Sequence, residues 1–181
     1  MEEPIAPALF FSPFVSSTMQ VEPAWIDYNG HMNMAYYHVL FDRTVDEALA
    51  LVGLGPEYVE ERGASYFTAE LHTVYRRELT LGTAVRTTFQ LVDFDEKRIH
   101  AYFEIRHLAE AWVAATCEKL FLHVDMGSRR VAPMPPDIRA NLGAMRAAHR
   151  RLPRPEALGR VIGLRRPATA EPEAEAALTH H

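Results

Sequence analysis

The order of segments along the chain predicts an α+β fold, on three observations. One stretch, residues 33–52, runs without proline or glycine and is rich in apolar residues. Beyond Gly63 the texture changes to Tyr, Phe, Thr and Val, residue types that favour strands. The β-rich segments are separated by short polar turns, so they follow one another as antiparallel neighbours. A helix followed by a run of strands is the α+β pattern.

Each element has its own signal. Met19-Gln20-Val21 reads as a short strand within residues 19–25, ended by Pro23. Asn33 is a helix N-cap. The helix it opens carries Ala35, Val39, Ala48, Leu49 and Val52 near helical spacing, with Tyr36, Leu40, Phe41 and Leu51 widening the apolar surface. Gly53 ends it. A short helix runs from Pro56, a favourable first position, to Arg62. Strands are expected over residues 65–79, 83–92, 97–107 and 111–124, joined at Gly82, Asp93-Phe94-Asp95-Glu96 and Leu108-Ala109-Glu110. Short loops between all four predict a simple meander. Asp125-Met126-Gly127-Ser128 closes the last strand, and residues 136–150 form a final helix. The chain thus divides into an irregular N-terminal arm (1–18), a main domain (19–150), an irregular docking segment (151–166) and a disordered tail (167–181). Ala, Glu and Pro dominate that tail, which cannot offset its ordering entropy.

Composition narrows the function. The chain has 181 residues, enough for one domain, and 48% are hydrophobic, enough for a substantial core. Its net charge of −5 argues against wholesale nucleic-acid binding, which needs a basic face. The single cysteine, Cys117, lies in an apolar run and reads as a small buried hydrophobe. The N-terminal stretch has Glu2 and Glu3 where a signal peptide has Lys or Arg, and no apolar run is long enough to span a bilayer. A cytoplasmic protein with no membrane partner is expected. No close His/Cys/Asp cluster has metal-ligand spacing.

The segment that carries chemistry is Trp25-Ile26-Asp27-Tyr28-Asn29-Gly30-His31-Met32-Asn33-Met34-Ala35-Tyr36-Tyr37. It places one carboxylate in a polar turn just before the long helix. A helix start offers unpaired N–H groups and partial positive charge. A carboxylate beside such a terminus can attack a carbonyl whose oxygen the terminus polarises. Taken alone, Asp27 reads as a turn aspartate. With Gly30-His31-Met32-Asn33 behind it, the segment resembles the hot-dog-fold acyl-CoA thioesterases of the 4-hydroxybenzoyl-CoA thioesterase type.

That resemblance covers roughly residues 19–135 and implies a long central helix wrapped by an antiparallel sheet. It implies that Asp27 is the catalytic carboxylate, as nucleophile or as general base on water. It assigns the Met34 backbone N–H to polarising the carbonyl, a kind of donor typically worth about 3–4 kcal/mol in the transition state. Gly30 shapes the turn, His31 holds the loop or contacts substrate, and Asn33 caps the helix or orients water. Many relatives carry Asp-x-Asp, and here Trp25 holds the first acidic position, which alters the pocket more than the chemistry.

A narrower resemblance, in residues 91–100 and 118–130, is to thioesterases linked with carnitine breakdown, which hydrolyse betainyl-CoA. It suggests Tyr28, Tyr36, Tyr66, Phe67 and Trp112 (with Tyr37) as an aromatic cage for a trimethylammonium group. Arg76, Arg77, Arg129 and Arg130, with Lys97 and Arg98, are candidates for the coenzyme A phosphates. Glu70 and His72 lie two apart on one strand face and read as a buried pair. The family implies no metal or prosthetic group, coenzyme A entering only as part of the substrate. It implies a homodimer or a dimer of dimers with the site at the subunit interface. The rival readings are an acyl-carrier-protein thioesterase, which needs a broad basic surface, and a non-catalytic acyl-CoA-binding protein, which normally carries a DNA-binding segment.

Overall fold

The computed structural model describes residues 10–164, so the tail expected over 167–181 lies outside the described residues. The strands are β1 (Phe14–Val15), β2 (Met19–Gln20), β3 (Ala64–Tyr75), β4 (Ala84–Phe94), β5 (Arg98–His107), β6 (Val113–Asp125) and β7 (Arg130–Val131). The helices are α1 (Met34–Ala50), α2 (Pro56–Arg62) and α3 (Pro136–His149), and a single 3-10 turn spans Pro23–Trp25. The sheet curls around α1.

Helix α1 forms because its apolar residues fall on one stripe. Tyr37, Leu40, Phe41, Thr44, Val45, Ala48 and Leu49 are buried, a spacing of three and four. Ala35 is exposed and Val39 only half-buried, so the stripe starts two residues later than the sequence reading places it. The opposite face carries the exposed Asp42, Arg43 and Asp46. The helix is therefore covered on one side, not all round. Phe41 meets Phe103 edge-on at 5.9 Å, and Phe103 meets Phe89 at 5.2 Å, giving the core an aromatic centre. Cys117 is fully buried in β6, and burial pushes its thiol pKa up, as expected of an inert core cysteine.

The sheet is not a simple meander. Its order is β1-β4-β5-β6-β3, all antiparallel, with β2 also on β4 and β7 on β6. Among the five strands of that path, only β4, β5 and β6 are sequential neighbours. Strand β3 pairs with β6, from Ala64↔Asp125 to Tyr75↔Ala115, and not with β4. Residues 76–83 must therefore cross three strand spacings, about 14 Å. The physical reason is closure on α1. Both sides of the sheet must bend over one helix, with β3 on one side and β4, bordered by the short β1 and β2, on the other. The arm expected to be irregular supplies β1, with Phe14 opposite Phe89. The early strand stops at Gln20, where the chain turns toward Pro23.

The last described residues cross the outer face of the sheet, away from α1. The Gln90 side chain donates to Pro153 O (3.4 Å) and the Gly159 N–H donates to Glu118 (2.7 Å). Tyr102, on that outer face, is only 4% exposed. Glu70 and His72 also lie on this face, in register with Leu120 and Glu118. Glu70 is exposed and His72 half-buried, so they do not form the buried pair expected. His72 faces Glu118, whose carboxylate is already taken by His100 at 2.8 Å. A cavity of about 530 Å³ on this side is lined by Glu70, His72, Asp95, His100 and Leu120.

His149, at the end of α3, joins three segments. Its Nδ1 accepts the Leu91 N–H (2.9 Å) and its Nε2 donates to Phe11 O (2.8 Å). Leu91 sits at the β4 bulge, where register with β5 slips. Its N–H points to the β1 side of β4, beyond the last β1 pair at Phe14↔Phe89, and the imidazole satisfies it. Burial holds the His149 pKa below its ordinary value, and His38 is lowered in the same direction. An unfolded chain takes up these protons near pH 6.5, while the folded chain resists until a lower pH. Stability is then fully present above about pH 6.5 and declines on acidification below it. Melting temperature followed from about pH 7.5 to about pH 5 should show that decline. His149→Gln, which cannot titrate, should flatten part of it, and an unchanged slope in that variant counts against the assignment.

Candidate active site

The Asp27 turn is built by its own backbone. The Asp27 N–H donates to His31 O (3.1 Å), the Gly30 N–H donates to Asp27 O (3.0 Å), and Asp27 Oδ1 accepts the Asn29 N–H (2.8 Å). Gly30 adopts φ +84, a left-handed conformation that side chains disfavour, and this allows the reversal. Ile26 and Met32 form an isolated bridge across the base of the turn. One carboxylate oxygen of Asp27 is thus fixed. Its other oxygen has no partner among the described residues and the side chain is half-buried.

The turn is then fastened to α1 and to the crossover. Asn33 N–H donates to Trp25 O (2.9 Å). Asn33 also caps the helix, its Oδ1 accepting the Ala35 N–H (3.0 Å) while its carbonyl accepts the Tyr36 N–H (3.0 Å). Met34 N–H, just before these two satisfied amides, has no acceptor among the described residues. On the crossover, Leu79 O accepts the Met32 N–H (2.7 Å) and Leu79 N–H donates to the Tyr37 hydroxyl (3.2 Å). His31 lies 4.0 Å from Glu78 on the same segment. Asp27, Gly30, His31, Asn33 and Met34 are thus brought together at one end of α1.

The expected aromatic cage is not assembled within one protomer. Tyr28 is 97% exposed. Tyr36 stacks on Trp25 at 5.5 Å, and Arg43 covers that indole at 5.3 Å. Trp25 is therefore a buried support for the first turn of α1, where many relatives have an acid. Tyr66 donates to Asp46 Oδ1 (2.6 Å), twelve residues along α1 from Met34, or about 18 Å. Burial and that carboxylate together push its pKa far up. Phe67, next in the strand, points to the opposite face of the sheet. Trp112 is held between Arg77 (4.3 Å) and His107 (4.9 Å).

The basic candidates split into two groups. Arg76 and Arg77 follow β3, and both backbone N–H groups donate to Ala114 O. They sit at the same end of the sheet as the Asp27 turn. Arg129 ends the turn after β6 and Arg130 opens β7, where it lies opposite Asp125. That is the far end of a 13-residue strand, about 40 Å away.

Several groups at the site carry no recognisable sequence signal. Tyr75 reads only as a strand residue, yet its hydroxyl donates to Met34 O (3.2 Å) and lies 3.4 Å from His38 Nε2. Burial, and secondarily the nearby Lys119 charge, hold His38 below its ordinary pKa, so it is neutral at pH 7. Lys119 is 3% exposed on the α1 side of β6, its ammonium 5.4–5.9 Å from the rings of Phe103, Phe41 and Phe121. Desolvation lowers its pKa, while Asp42 and Asp46 act in the opposite direction. Among the described residues, no group of three or more acids, histidines or cysteines is arranged to hold a metal, and no helix is long and apolar enough to cross a membrane.

Comparison with known proteins places this geometry. The chain is 41% identical over 81% of its length to an L-carnitine dehydrogenase/betainyl-CoA thioesterase of Rhizobium meliloti (strain 1021), of which it spans 29%. It is 37% identical over 80% of its length to a betainyl-CoA thioesterase of Pseudomonas aeruginosa, of which it spans 91%. Among solved structures, protein SAV2348 of Staphylococcus aureus, in complex with CoA, matches with a TM-score of 0.79 and 27% identity, covering 88% of this chain and all of that one. A DHNA-CoA thioesterase of the same species matches with a TM-score of 0.70 at 13% identity, over 76% of this chain and 93% of that one, a likeness of fold alone. The hot-dog architecture is shared by both. The model of the thioesterase-like superfamily matches residues 21–142, the span from just after β2 into α3 that holds the Asp27 turn, and the chain belongs to that family.

Proposed function

We propose that this chain hydrolyses acyl-CoA thioesters, with betainyl-CoA as substrate, releasing glycine betaine and coenzyme A. One observation carries the reading. The Met34 amide is left without an acceptor while both following amides are capped, and the Asp27 carboxylate stands in the turn leading to it. A thioester carbonyl seated on that amide gains a hydrogen bond that strengthens as the oxygen becomes an oxyanion. The helix start adds its partial positive charge. Asp27 attacks the carbonyl carbon directly, giving an anhydride that water cleaves, or takes a proton from an attacking water. Either way the C–S bond breaks and coenzyme A leaves as the thiol. The Arg76 and Arg77 pair lies at this end of the sheet and suits the nucleotide phosphates. The reaction calls for no metal or prosthetic group. The betainyl assignment is supported by the curated relatives, which carry that substrate in their names.

The active unit in this reading is a homodimer formed along β3, with a dimer of dimers as the larger form. Among the described residues β3 pairs only with β6, so within them its other edge offers unpaired backbone groups over 12 residues. Phe67 and Leu71 on it are 42% and 44% exposed. A second copy paired there would satisfy the ladder and bring more side chains to a site that is open in one protomer.

Three outcomes are expected. Asp27→Asn, similar in size but lacking the base or nucleophile, should reduce turnover about a hundredfold to ten-thousandfold with the fold intact. Unchanged thiol release by that folded variant would remove the assignment. Specific activity should fall on dilution as sedimentation shows dimers dissociating, and a fully active monomer would refute the shared site. Wild-type protein should prefer betainyl-CoA over the neutral isostere with a tert-butyl group by at least about tenfold in kcat/KM. Equal efficiencies would discard the cationic substrate and leave the hydrolase standing.

A further inference from the structure

If the carbonyl of betainyl-CoA rests on Met34 N–H, the position of its quaternary nitrogen is tightly limited. One methylene separates the carbonyl carbon from that nitrogen. The cation then lies within roughly 6 Å of the Met34 amide nitrogen. Any ring that recognises it must stand against the first turn of α1.

Tyr28 stands 97% exposed with nothing among the described residues to hold its ring, and the other aromatic residues suggested by the sequence are engaged elsewhere. The Tyr36 face is stacked on Trp25, Trp112 is covered by Arg77, Tyr66 is bound near the far end of α1, and Phe67 points to the other side of the sheet. Tyr75 does stand there. It is the last residue of β3, its hydroxyl reaches Met34 O at 3.2 Å, and its ring is edge-on to Tyr37 at 5.1 Å. The residue is 42% exposed, so part of the ring remains open.

Its orientation is over-determined. The hydroxyl proton goes to Met34 O, so the phenol oxygen is the acceptor toward His38 Nε2 at 3.4 Å. That contact requires the proton on Nε2, and His38 Nδ1 is then a buried lone pair with no partner among the described residues. A neutral imidazole steadies the ring without placing a positive charge beside it. Lys119 on β6 faces His38 and Glu78 on the crossover faces Tyr37, while Asp27, Arg76 and Arg77 carry charge at the same end of the sheet and Asp42 lies one turn further along α1.

We propose that Tyr75, steadied by His38, is the specificity-determining residue for the acyl group, its ring being the surface on which a trimethylammonium group packs while the carbonyl sits on Met34 N–H. The proposal rests on the acyl-CoA hydrolase reading and names the contact that makes that site selective for a cation. His38 is a positioning residue in this arrangement.

The test compares wild type, Tyr75→Leu and Tyr75→Phe on betainyl-CoA and on its tert-butyl isostere. In Tyr75→Leu the ratio of kcat/KM between the two substrates should fall at least about tenfold, through KM for the cation. Tyr75→Phe keeps the ring and should retain most of the ratio. A loss shared equally by both substrates, or an unchanged ratio in Tyr75→Leu, overturns the proposal. A second measurement does not need turnover. Two uncleavable CoA thioethers, one ending in trimethylammonium and one in tert-butyl, are titrated by calorimetry into wild type and into Tyr75→Leu of native circular dichroism. Preference for the cationic thioether in wild type and its loss in Tyr75→Leu supports the contact. No preference in wild type overturns it. Failure of the hydrolase reading shows separately, as absence of thiol release by wild type.

Discussion

The site depends on a backbone clip at Leu79. Its carbonyl takes the Met32 N–H and its N–H goes to the Tyr37 hydroxyl. One residue of the crossover therefore grips the chain on both sides of the α1 start. Without it the Asp27 turn would be tied only to itself and to Trp25. The clip exists because β3 and β4 lie three places apart in the sheet, so that residues 76–83 must pass the helix end on their way across. The topology that closes the sheet over α1 is the same topology that stiffens the reacting corner. Leu79 is itself 1% exposed, which anchors the clip in the core.

Electrostatics at this corner are arranged by desolvation more than by ion pairs. His38 is kept neutral by burial, and Lys119 is set over three aromatic rings instead of against a carboxylate within bonding distance. Surface charge is paired elsewhere, at Arg62 with Asp137 and at Arg43 with Glu22. Such exposed pairs contribute little to stability. Fixed amide dipoles, by contrast, need no reorganisation as charge develops on a carbonyl oxygen.

How much of this was legible in the residues varies with the kind of signal. Asn33, Gly30 and the helix behind them announce themselves through local chemistry, since a cap and a positive φ demand particular side chains. The hot-dog fold came through because its motif is local. The placement of β3 beside β6 did not, since alternating strands and short loops describe a meander equally well, and pairing between distant strands leaves no local mark. Tyr75 looked like any strand former, and Leu79 enters its clip through backbone atoms alone, which every residue shares. Tyr66 and Phe67 were read together because they are neighbours in sequence, whereas the pleat sends them to opposite faces. Arg76 and Arg129 looked alike as basic flanks, and only the length of β6 separates them.

The chain segment lying across the outer face, from Pro153 to Gly159, has a geometric consequence. Two twisted sheets can stack back to back only about 10 Å apart, with their side chains interdigitated. A polypeptide strand already fills much of that gap here, bonded to Gln90 and Glu118 and shielding Tyr102. For this chain, sandwiching one sheet on another would first require peeling that strand away. The helix side, by contrast, presents Asp42, Arg43 and Asp46 of α1 to solvent.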